Sequence, residues 1–408
     1  MLFSQRSFYN AMLDAYSIRE NDKENYIKPL LHLEHVNSDT LSDRENILYL
    51  ETLFTLSSYT CDFKKTLYYE LFRRNKYFSS SIQSKEIKDS IFFNFHLVPA
   101  RKVIDSLAQQ YEVIMINESH HTPYHRNFIF SLLPDLKKQG FKYLALEALG
   151  KDNKINQRGY PCFEDGSYIQ EPLYGEMIRE AVRLGFKLIA YEESFSSCDG
   201  KGKDKYFCDR YRDSIAAVNI YKIKKEDKSA KILVYAGYSH IKEKYRSNKT
   251  RMAEYFKRIS GIDPLTIDQT TMMDFGDDKY TYPYYDKLKD KLNDEVMLLI
   301  SDKKDHFWSL FEGYDIMVFS PSPKMQNGRH SFYSINNVRK KYYLEGDKTL
   351  DAFFVQAFYE NEKGNNIPAD QTYFNSNKAL LFLRPGKYRL LFYDKSGNLI
   401  EKSIKRFN

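Results

Sequence analysis

The sequence has neither a long apolar run nor a strong bias toward one charge. No stretch approaches the roughly 20 consecutive apolar residues that a membrane-spanning helix needs, so we expect no integral membrane segment. Lysine and arginine number 62 against 55 aspartates and glutamates, and the two signs are interspersed along the chain. Such a mixed surface argues against a nucleic acid partner.

Several motifs of well-known enzyme classes are also absent. The chain contains no G-x-S-x-G nucleophile elbow, no P-loop and no G-x-G-x-x-G. These absences speak against serine hydrolases, nucleoside triphosphatases and dinucleotide-dependent enzymes.

Cysteine is scarce, with four residues in 408 that show neither C-x-x-C spacing nor neighbouring histidines. Cys198 and Cys208 flank a loop rich in Gly, Lys and Asp, and they could form a disulfide in an oxidising compartment, but the sequence leaves this open. No signal peptide follows Met1. The small β-rich segment at the end of the chain slightly favours an exported protein whose signal has been removed.

Three regions with different patterns follow one another along the chain. Residues 1–108 are predicted to be mostly helical, because apolar residues recur at three- and four-residue spacing and Ser42 precedes Glu45 as in a capping box. This region could be a lid or cover. Residues 109–334 alternate short apolar runs with amphipathic segments. Residues 335–408 show alternation broken by Pro-Gly and Ser-Gly-Asn turns, which predicts a small β-sandwich-like module with a hairpin over 384–404.

The middle region predicts the fold class. Seven apolar runs have the length of strands, at 112–117, 142–147, 186–192, 231–237, 264–269, 295–300 and 314–320. Several of the helical segments between them close with glycine, as helices commonly do. Near-continuously apolar strands that alternate with helices are typical of a mainly parallel sheet covered on both faces. We therefore expect an α/β core with a helical N-terminal region and a small all-β C-terminal module.

Acidic residues and histidines follow four of the predicted strands. They are Glu118, His120 and His121 after the first strand, Glu147 at the end of the second, Glu192 at the end of the third, and His240 after the fourth. Because parallel strands bring their carboxyl ends to one edge, these side chains should meet there and form a pocket. An imidazole held by a carboxylate can act as a general base on water. Two histidines with two glutamates could instead hold a divalent metal.

Four segments together resemble a known superfamily. "NESHHTPYHR", "LALEAL", "RYRDSIAAVNI" and "VYAGYSHI" are similar to successive motifs of erythromycin esterases, ChaN-like haem-uptake proteins and TIKI/TraB proteins. The resemblance covers roughly residues 109–270. The matching positions are Glu118 and His121 in the first motif, Glu147 in the second, Arg212, Asp213 and Asn219 in the third, and His240 in the last. Asn117 stands where the first motif usually has glycine, and only one histidine is present in the last.

The resemblance implies hydrolysis of an ester- or amide-like bond in a small molecule or peptide. In that interpretation His121 is the general base, Glu118 and Glu147 orient it or the attacking water, and His240 stabilises the oxyanion or protonates the leaving group. Substrate contacts are expected from the remaining polar residues around this edge, which are Arg126, Arg212, His120, His125, Glu192 and Tyr238.

Two alternatives remain open at this stage. A metal-dependent hydrolase of the TIKI type would use Glu118, His121, Glu147 and His240 as ligands of a divalent cation. A ChaN-like protein would bind haem or another small ligand without catalysis, with a phenolate from Tyr124, Tyr191 or Tyr238. The leading interpretation needs no cofactor, and the sequence gives no indication of the oligomeric state.

Overall fold

The structure is a computed structural model that describes residues 8–78, 94–192, 198, 204, 206–244, 249–304, 306–346 and 351–408. The α-helices are α1 (Phe8–Asn21), α2 (Ile27–Glu34), α3 (Asp43–Tyr59), α4 (Phe63–Tyr77), α5 (Ala100–Leu107), α6 (Tyr124–Lys138), α7 (Ile155–Arg158), α8 (Pro172–Arg183), α9 (Phe207–Glu226), α10 (Met252–Ser260) and α11 (Pro283–Leu288). Short 3-10 helices cover Ser38–Thr40, Phe163–Asp165, Tyr168–Gln170, Lys289–Lys291 and Ser331–Ser334.

An eight-stranded sheet forms the centre of the protein. Its strands are β1 (Phe95–Pro99), β2 (Val113–Glu118), β3 (Phe141–Leu146), β4 (Lys187–Ala190), β5 (Lys231–Gly237), β6 (Leu265–Met272), β7 (Met297–Ser301) and β8 (Ile316–Phe319). They lie in the order β1-β7-β8-β6-β2-β5-β3-β4, and all neighbours from β8 to β4 are parallel. Strand β7 runs antiparallel to β1 and β8. The mainly parallel sheet predicted from the sequence is confirmed.

Both faces of this sheet are covered, as the near-continuous apolar strands predict. Ile114 and Ile116 of β2 belong to a buried cluster with α5, α6 and α8. Val113 and Met115 belong to a second cluster, on α9 and α10. Successive side chains of a strand point to opposite faces, so a strand buried on both sides is apolar along most of its length.

Two local features predicted from the sequence are also present. Ser42 caps α3, because its amide donates to Glu45 Oε2 at 3.0 Å and the amide of Glu45 donates to Ser42 Oγ at 3.4 Å. Gly185 and Gly261, which close two helices, have φ of +77° and +72°. This left-handed conformation is one that glycine adopts without strain.

The segment 95–107 differs from the rest of the first region. The sequence assigned it to mostly helical residues 1–108, but β1 pairs with β7 and α5 packs into the core of the sheet. The "FHLVP" stretch lacks a continuous apolar run, and its pairing partner lies about 200 residues further along the chain. No local pattern could therefore identify it as a strand.

The C-terminal module consists of antiparallel sheets, as predicted. Its longer strands are β11 (Lys340–Glu345), β12 (Phe354–Tyr359), β13 (Asp370–Tyr373), β14 (Lys378–Leu383), β15 (Gly386–Tyr393) and β16 (Leu399–Phe407), after a small hairpin of β9 (Met325–Gln326) and β10 (Arg329–His330). The β11–β14 pair and the four-stranded sheet β13-β12-β15-β16 share one apolar core. The predicted hairpin is the pair β15–β16.

The N-terminal helices pack against this module and reach the main sheet. Side chains of α1, α2 and α3 form one buried cluster with Phe354 and Phe358 of β12 and Leu391 and Tyr393 of β15. From there α3 and α4 extend over the end of the sheet where β2 terminates. The open question of Cys198 and Cys208 is answered by a disulfide between them. In the part of the chain that is described, no helix combines the length and apolar character that crossing a membrane requires.

Candidate active site

The carboxyl ends of four parallel strands assemble a polar site. Strand β2 ends at Glu118, β3 leads into Glu147, β4 leads into Glu192, and β5 ends three residues before His240. These residues lie close together at one edge of the sheet, as the sequence predicts. After β2 the chain continues to β3 on one side of that strand, and after β5 it crosses to β6 on the other side. Ligands of α/β proteins commonly bind beside such a switch in strand order.

His120 is oriented by a buried carboxylate. Its Nδ1 lies 2.9 Å from Glu118 Oε1, and its ring stacks on Tyr168 with centroids 3.9 Å apart. Burial alone would raise the pKa of Glu118, but Arg126 and His120 lower it to about 2. An ionised carboxylate can only accept, so Nδ1 must carry the proton and Nε2 is left as the reactive nitrogen.

His240 is held in the same way by a second buried carboxylate. Its Nδ1 is hydrogen-bonded to Asp213 Oδ1, and Arg251 Nη1 donates to the other oxygen of Asp213 at 3.1 Å. Burial by itself would lower the pKa of His240, but Glu147 and Asp213 raise it to about 9. His240 is therefore an imidazolium at neutral pH.

Glu147 lies between the two imidazoles. Its Oε1 is 3.9 Å from Nε2 of His120 and 3.8 Å from Nε2 of His240, while its Oε2 accepts a hydrogen bond from the amide of Gly237. Burial would raise the pKa of Glu147, but His240 and His120 hold it below its ordinary value. A separation of 3.8–3.9 Å is too long for a direct hydrogen bond, so Oε1 of Glu147 is hydrogen-bonded to neither imidazole.

Glycine is required at position 237 by this close approach. A Cβ atom there would lie 2.4 Å from Nε2 of His120 and 3.0 Å from Oε2 of Glu147. Any larger residue would displace the imidazole or the carboxylate. The strand end of β5 therefore fixes the position of His120 as well as that of Glu147.

The two neighbouring histidines, of which the sequence analysis chose His121 as the general base, face different groups. His121 was expected to face Glu147, but its Nε2 lies 3.0 Å from Thr55 Oγ1 of α3, and its ring meets Phe54 edge-on at 4.2 Å. Burial lowers the pKa of His121 well below its ordinary value. The imidazole that faces Glu147 is that of His120.

Arg126 and His125 bind groups of the protein itself. The guanidinium of Arg126, which is 1% exposed, donates to Glu118 at 3.2 Å, to Glu171 at 2.9 Å and to the carbonyl of His120 at 2.6 Å. Nδ1 of His125 accepts from the amide of Ser119 at 3.1 Å, and burial lowers its pKa to about 3. Both side chains therefore stabilise the turn that follows β2.

Arg212 and Glu192 form an ion pair at the side of the site. Nη2 of Arg212 contacts both oxygens of Glu192 at 2.6 and 2.5 Å. Burial and the neighbouring Glu147 raise the pKa of Glu192. Asn219, from the same helix, donates to the carbonyl of Tyr191 at 2.9 Å and so ties α9 to the end of β4.

Asn117, the residue that replaces the expected glycine, braces the strand ends. Its Nδ2 donates to Asp268 Oδ1 at 2.6 Å and to the carbonyl of Tyr238 at 2.7 Å, and its Oδ1 accepts from the amide of Gln269 at 2.8 Å. One buried side chain thus links β2, β6 and the turn after β5. Glycine could make none of these bonds.

The four side chains expected to bind a metal do not converge on one point. Both oxygens of Glu118 are engaged, by His120 and Arg126, and His121 Nε2 is turned toward Thr55. Across the described ranges, no group of three or more His, Cys, Asp or Glu side chains is arranged to hold a metal ion. Of the tyrosines considered for haem, Tyr124 and Tyr191 are buried and Tyr238 is exposed at the rim.

Several contributors to the site were not identified from the sequence. Tyr168 stacks on His120, Glu171 anchors Arg126, and Thr55 holds His121. Each comes from a segment far from β2 in the chain. Asp213 was noted only as part of a motif, and its pairing with His240 depends on the approach of α9 to the turn after β5.

Comparisons with known proteins add little. No protein-family model and no curated protein matches the chain. Three solved structures are similar in part. The type III effector HopBA1 has 14% identity over 48% of this chain and 96% of its own, with a TM-score of 0.30. The toxin effector domain RRSP from Vibrio vulnificus has 15% identity over 46% of this chain and 40% of its own, with a TM-score of 0.27.

The third structure is from Pasteurella multocida toxin, whose C-terminal region is described as having a thiol-protease-like catalytic triad. It has 11% identity over 89% of this chain and 55% of its own, with a TM-score of 0.33. All three TM-scores lie well below 0.5, so these similarities support no conclusion about the function of this chain.

Proposed function

We propose that the protein is a hydrolase that cleaves an ester- or amide-type bond with water activated at the sheet edge. The observation that carries the proposal is the convergence of two carboxylate-bound imidazoles on Glu147, with Nε2–Oε1 distances of 3.9 and 3.8 Å. The resemblance to erythromycin esterases and their relatives supports the same class. In this proposal His120 takes the role that the sequence suggested for His121.

The proposal gives the two histidines complementary roles. Glu118 holds the Nδ1 proton of His120, so Nε2 is the nitrogen at which this ring exchanges a proton. His240 carries a proton on Nε2 at neutral pH, because Glu147 and Asp213 raise its pKa to about 9. We assign His120 as the base and His240 as the acid, the pair of roles that acid–base catalysis needs.

The proposed reaction uses His120 as the base and His240 as the acid. His120 Nε2 takes a proton from water as the oxygen attacks the carbonyl carbon, and His240 stabilises the oxyanion. When the bond to the leaving group breaks, His240 Nε2 gives that group its proton. Both histidines then regain their starting states by exchange with solvent. Glu147 stabilises the positive charge that forms on His120, and Arg126 and Asp213 act by positioning.

The proposal is tested with a panel of p-nitrophenyl esters, anilides and short peptides. His120→Ala and Glu147→Gln should each lower kcat/KM by roughly 100-fold or more, the range for loss of an acid–base group. His121→Ala should lower it less than tenfold, because its imidazole contacts α3 and not Glu147. The exposed His96 provides a control, and His96→Ala should leave activity unchanged.

Dialysis against a chelator completes the test, since no step uses a metal and activity should be retained. Far-UV circular dichroism of each variant checks that the fold is intact. A fully active His120→Ala protein would contradict the proposal, and so would a wild-type protein that hydrolyses nothing in the panel.

A further inference from the structure

A narrow cleft lies between α4 and the edge of the sheet that carries the site. One wall is a single face of α4, formed by side chains three and four residues apart: Phe63, Thr66, Leu67, Glu70, Leu71 and Arg74. The opposite wall includes Ser119, His121, Thr122 and Tyr238, with residues 273–275 closing one side. The cleft therefore lies directly beside the turns that follow β2 and β5.

Tyr238 lies on the border between this cleft and the site. Its ring meets the ring of His120 edge-on, with centroids 5.2 Å apart, and its hydroxyl is 3.3 Å from Ser119 Oγ. Its φ of +40° is one that non-glycine residues seldom adopt, and its amide donates to the carbonyl of Glu118 at 2.8 Å. The side chain is nevertheless 44% exposed. A strained backbone thus holds an exposed aromatic ring beside His120.

The charged side chains that line the cleft bind other groups of the protein. Arg74 Nε donates to Glu70 Oε1 at 2.6 Å, and Asp274 Oδ1 accepts from the amide of Gly276 at 2.8 Å. His121 is neutral, because burial lowers its pKa well below its ordinary value. An anionic ligand group would lose its hydration here beside Asp274 and Glu70, with Arg74 already bound to Glu70, which is costly. Apolar groups have no such cost.

The cleft is also small, with a volume of about 40 Å³. One water molecule needs roughly 10–15 Å³ on the same measure, so the space suits roughly three or four heavy atoms. A long acyl chain or a fused ring system would not fit between Leu71 and Tyr238 without moving α4. That helix is held by α3, and both belong to the packed N-terminal region.

We propose that this cleft binds a short, uncharged aliphatic group of the substrate, adjacent to the bond that is cleaved. The substrates would be esters and amides of short-chain acids of about three or four carbons. This inference rests on the proposed function and adds the substrate class to it. Leu71 and Tyr238 are then specificity-determining residues, and His121 is part of the neutral lining.

A chain-length series tests the inference. With p-nitrophenyl acetate, butyrate and octanoate, wild-type kcat/KM should be highest for butyrate and at least tenfold lower for octanoate. Leu71→Trp, which fills the cleft, should lower the butyrate value about tenfold relative to acetate. Leu71→Ala, which enlarges it, should move the optimum toward octanoate. The matched control is Tyr68→Trp on the outer face of α4, where the side chain is 61% exposed, and its profile should be that of the wild type.

A binding measurement separates failure of this inference from failure of the proposed function. Butyramide is the probe, and its binding is followed by saturation-transfer NMR in the wild type and in Glu147→Gln. Binding to both proteins, lost in Leu71→Trp and kept in Tyr68→Trp, supports the cleft even if no ester is hydrolysed. No butyramide binding, or a flat chain-length profile that Leu71→Trp does not change, overturns the inference while leaving the proposed function standing where esters are cleaved.

Discussion

Two buried carboxylates, Glu147 at the sheet edge and Asp370 in the C-terminal module, differ in how completely the protein satisfies them. Asp370 is fully buried and accepts from Arg329 at 2.6 and 2.9 Å and from the amide of Phe382 at 2.6 Å, with Arg339 3.6 Å away. Glu147 accepts from one amide and faces two imidazoles that it does not touch.

The difference shows that burial of charge does not by itself mark a functional site. A carboxylate whose oxygens are saturated by fixed donors stabilises the fold and offers nothing to a ligand. A carboxylate with one oxygen that is not hydrogen-bonded to its titratable neighbours retains capacity for chemistry. The charged cluster around Asp370 is therefore structural, while the cluster at the sheet edge is the candidate active site.

The difference between Glu147 and Asp370 is tested most directly by substituting each carboxylate in turn. Asp370→Asn leaves Arg329 and Arg339 buried without a counter-charge, so the free energy of unfolding should fall by roughly 3–5 kcal/mol. Glu147→Gln keeps an oxygen for the Gly237 amide and should cost about 1 kcal/mol. Urea unfolding followed by circular dichroism measures both. Equal losses in the two variants would remove the distinction.

The stability of the protein in acid should depend on His125, which is buried and neutral in the folded state. Its pKa is about 3 in the folded state and near 6.5 when unfolded, so the unfolded chain binds a proton first as pH falls. Stability should therefore decrease below pH 6.5, by up to about 1.4 kcal/mol per pH unit for this group. His125→Asn keeps an acceptor for the Ser119 amide and should make the slope shallower between pH 6 and 4. An unchanged slope would show that His125 is not responsible.

The smallest expected effect concerns the alkaline limb of the pH–activity profile, where hydrolysis declines as pH rises. Because Glu147 and Asp213 raise the pKa of His240 to about 9, the acid form persists at neutral pH and is lost as pH rises through that value. Hydrolysis should fall above pH 9. Asp213→Asn removes one of the two anions and should move this limb down by roughly one pH unit or more. A limb that stays at the same pH in kcat measurements would exclude His240 as the acid.

Much of the sheet edge could be predicted from local sequence. The runs that became β2, β3, β4 and β5 are apolar along most of their length, which predicts that both faces are covered and that the strands are mainly parallel. Parallel strands end at one edge, which is enough to bring Glu118, Glu147 and His240 together. The capping box of Ser42 and Glu45 is likewise a pattern within four residues.

The remaining part of the site depends on contacts between distant segments. His120 and His121 are adjacent in sequence, yet one stacks on Tyr168 and the other contacts Thr55, 48 and 66 residues away. Nothing in the residues 118–126 decides which imidazole faces Glu147. Gly237 provides the space that the ring of His120 occupies, because a Cβ atom there would lie 2.4 Å from its Nε2.

The sequence by itself determined seven of the eight strands described in the central sheet, that they lie mainly in parallel, and that acidic residues and histidines gather where they end. The reason is that strand and helix periodicities are local and record which faces are buried. Tertiary structure decided which histidine enters the site, which carboxylate orients it, and that α4 closes a cleft beside it. These outcomes follow from the packing of segments far apart in the chain, and local periodicity carries no record of them.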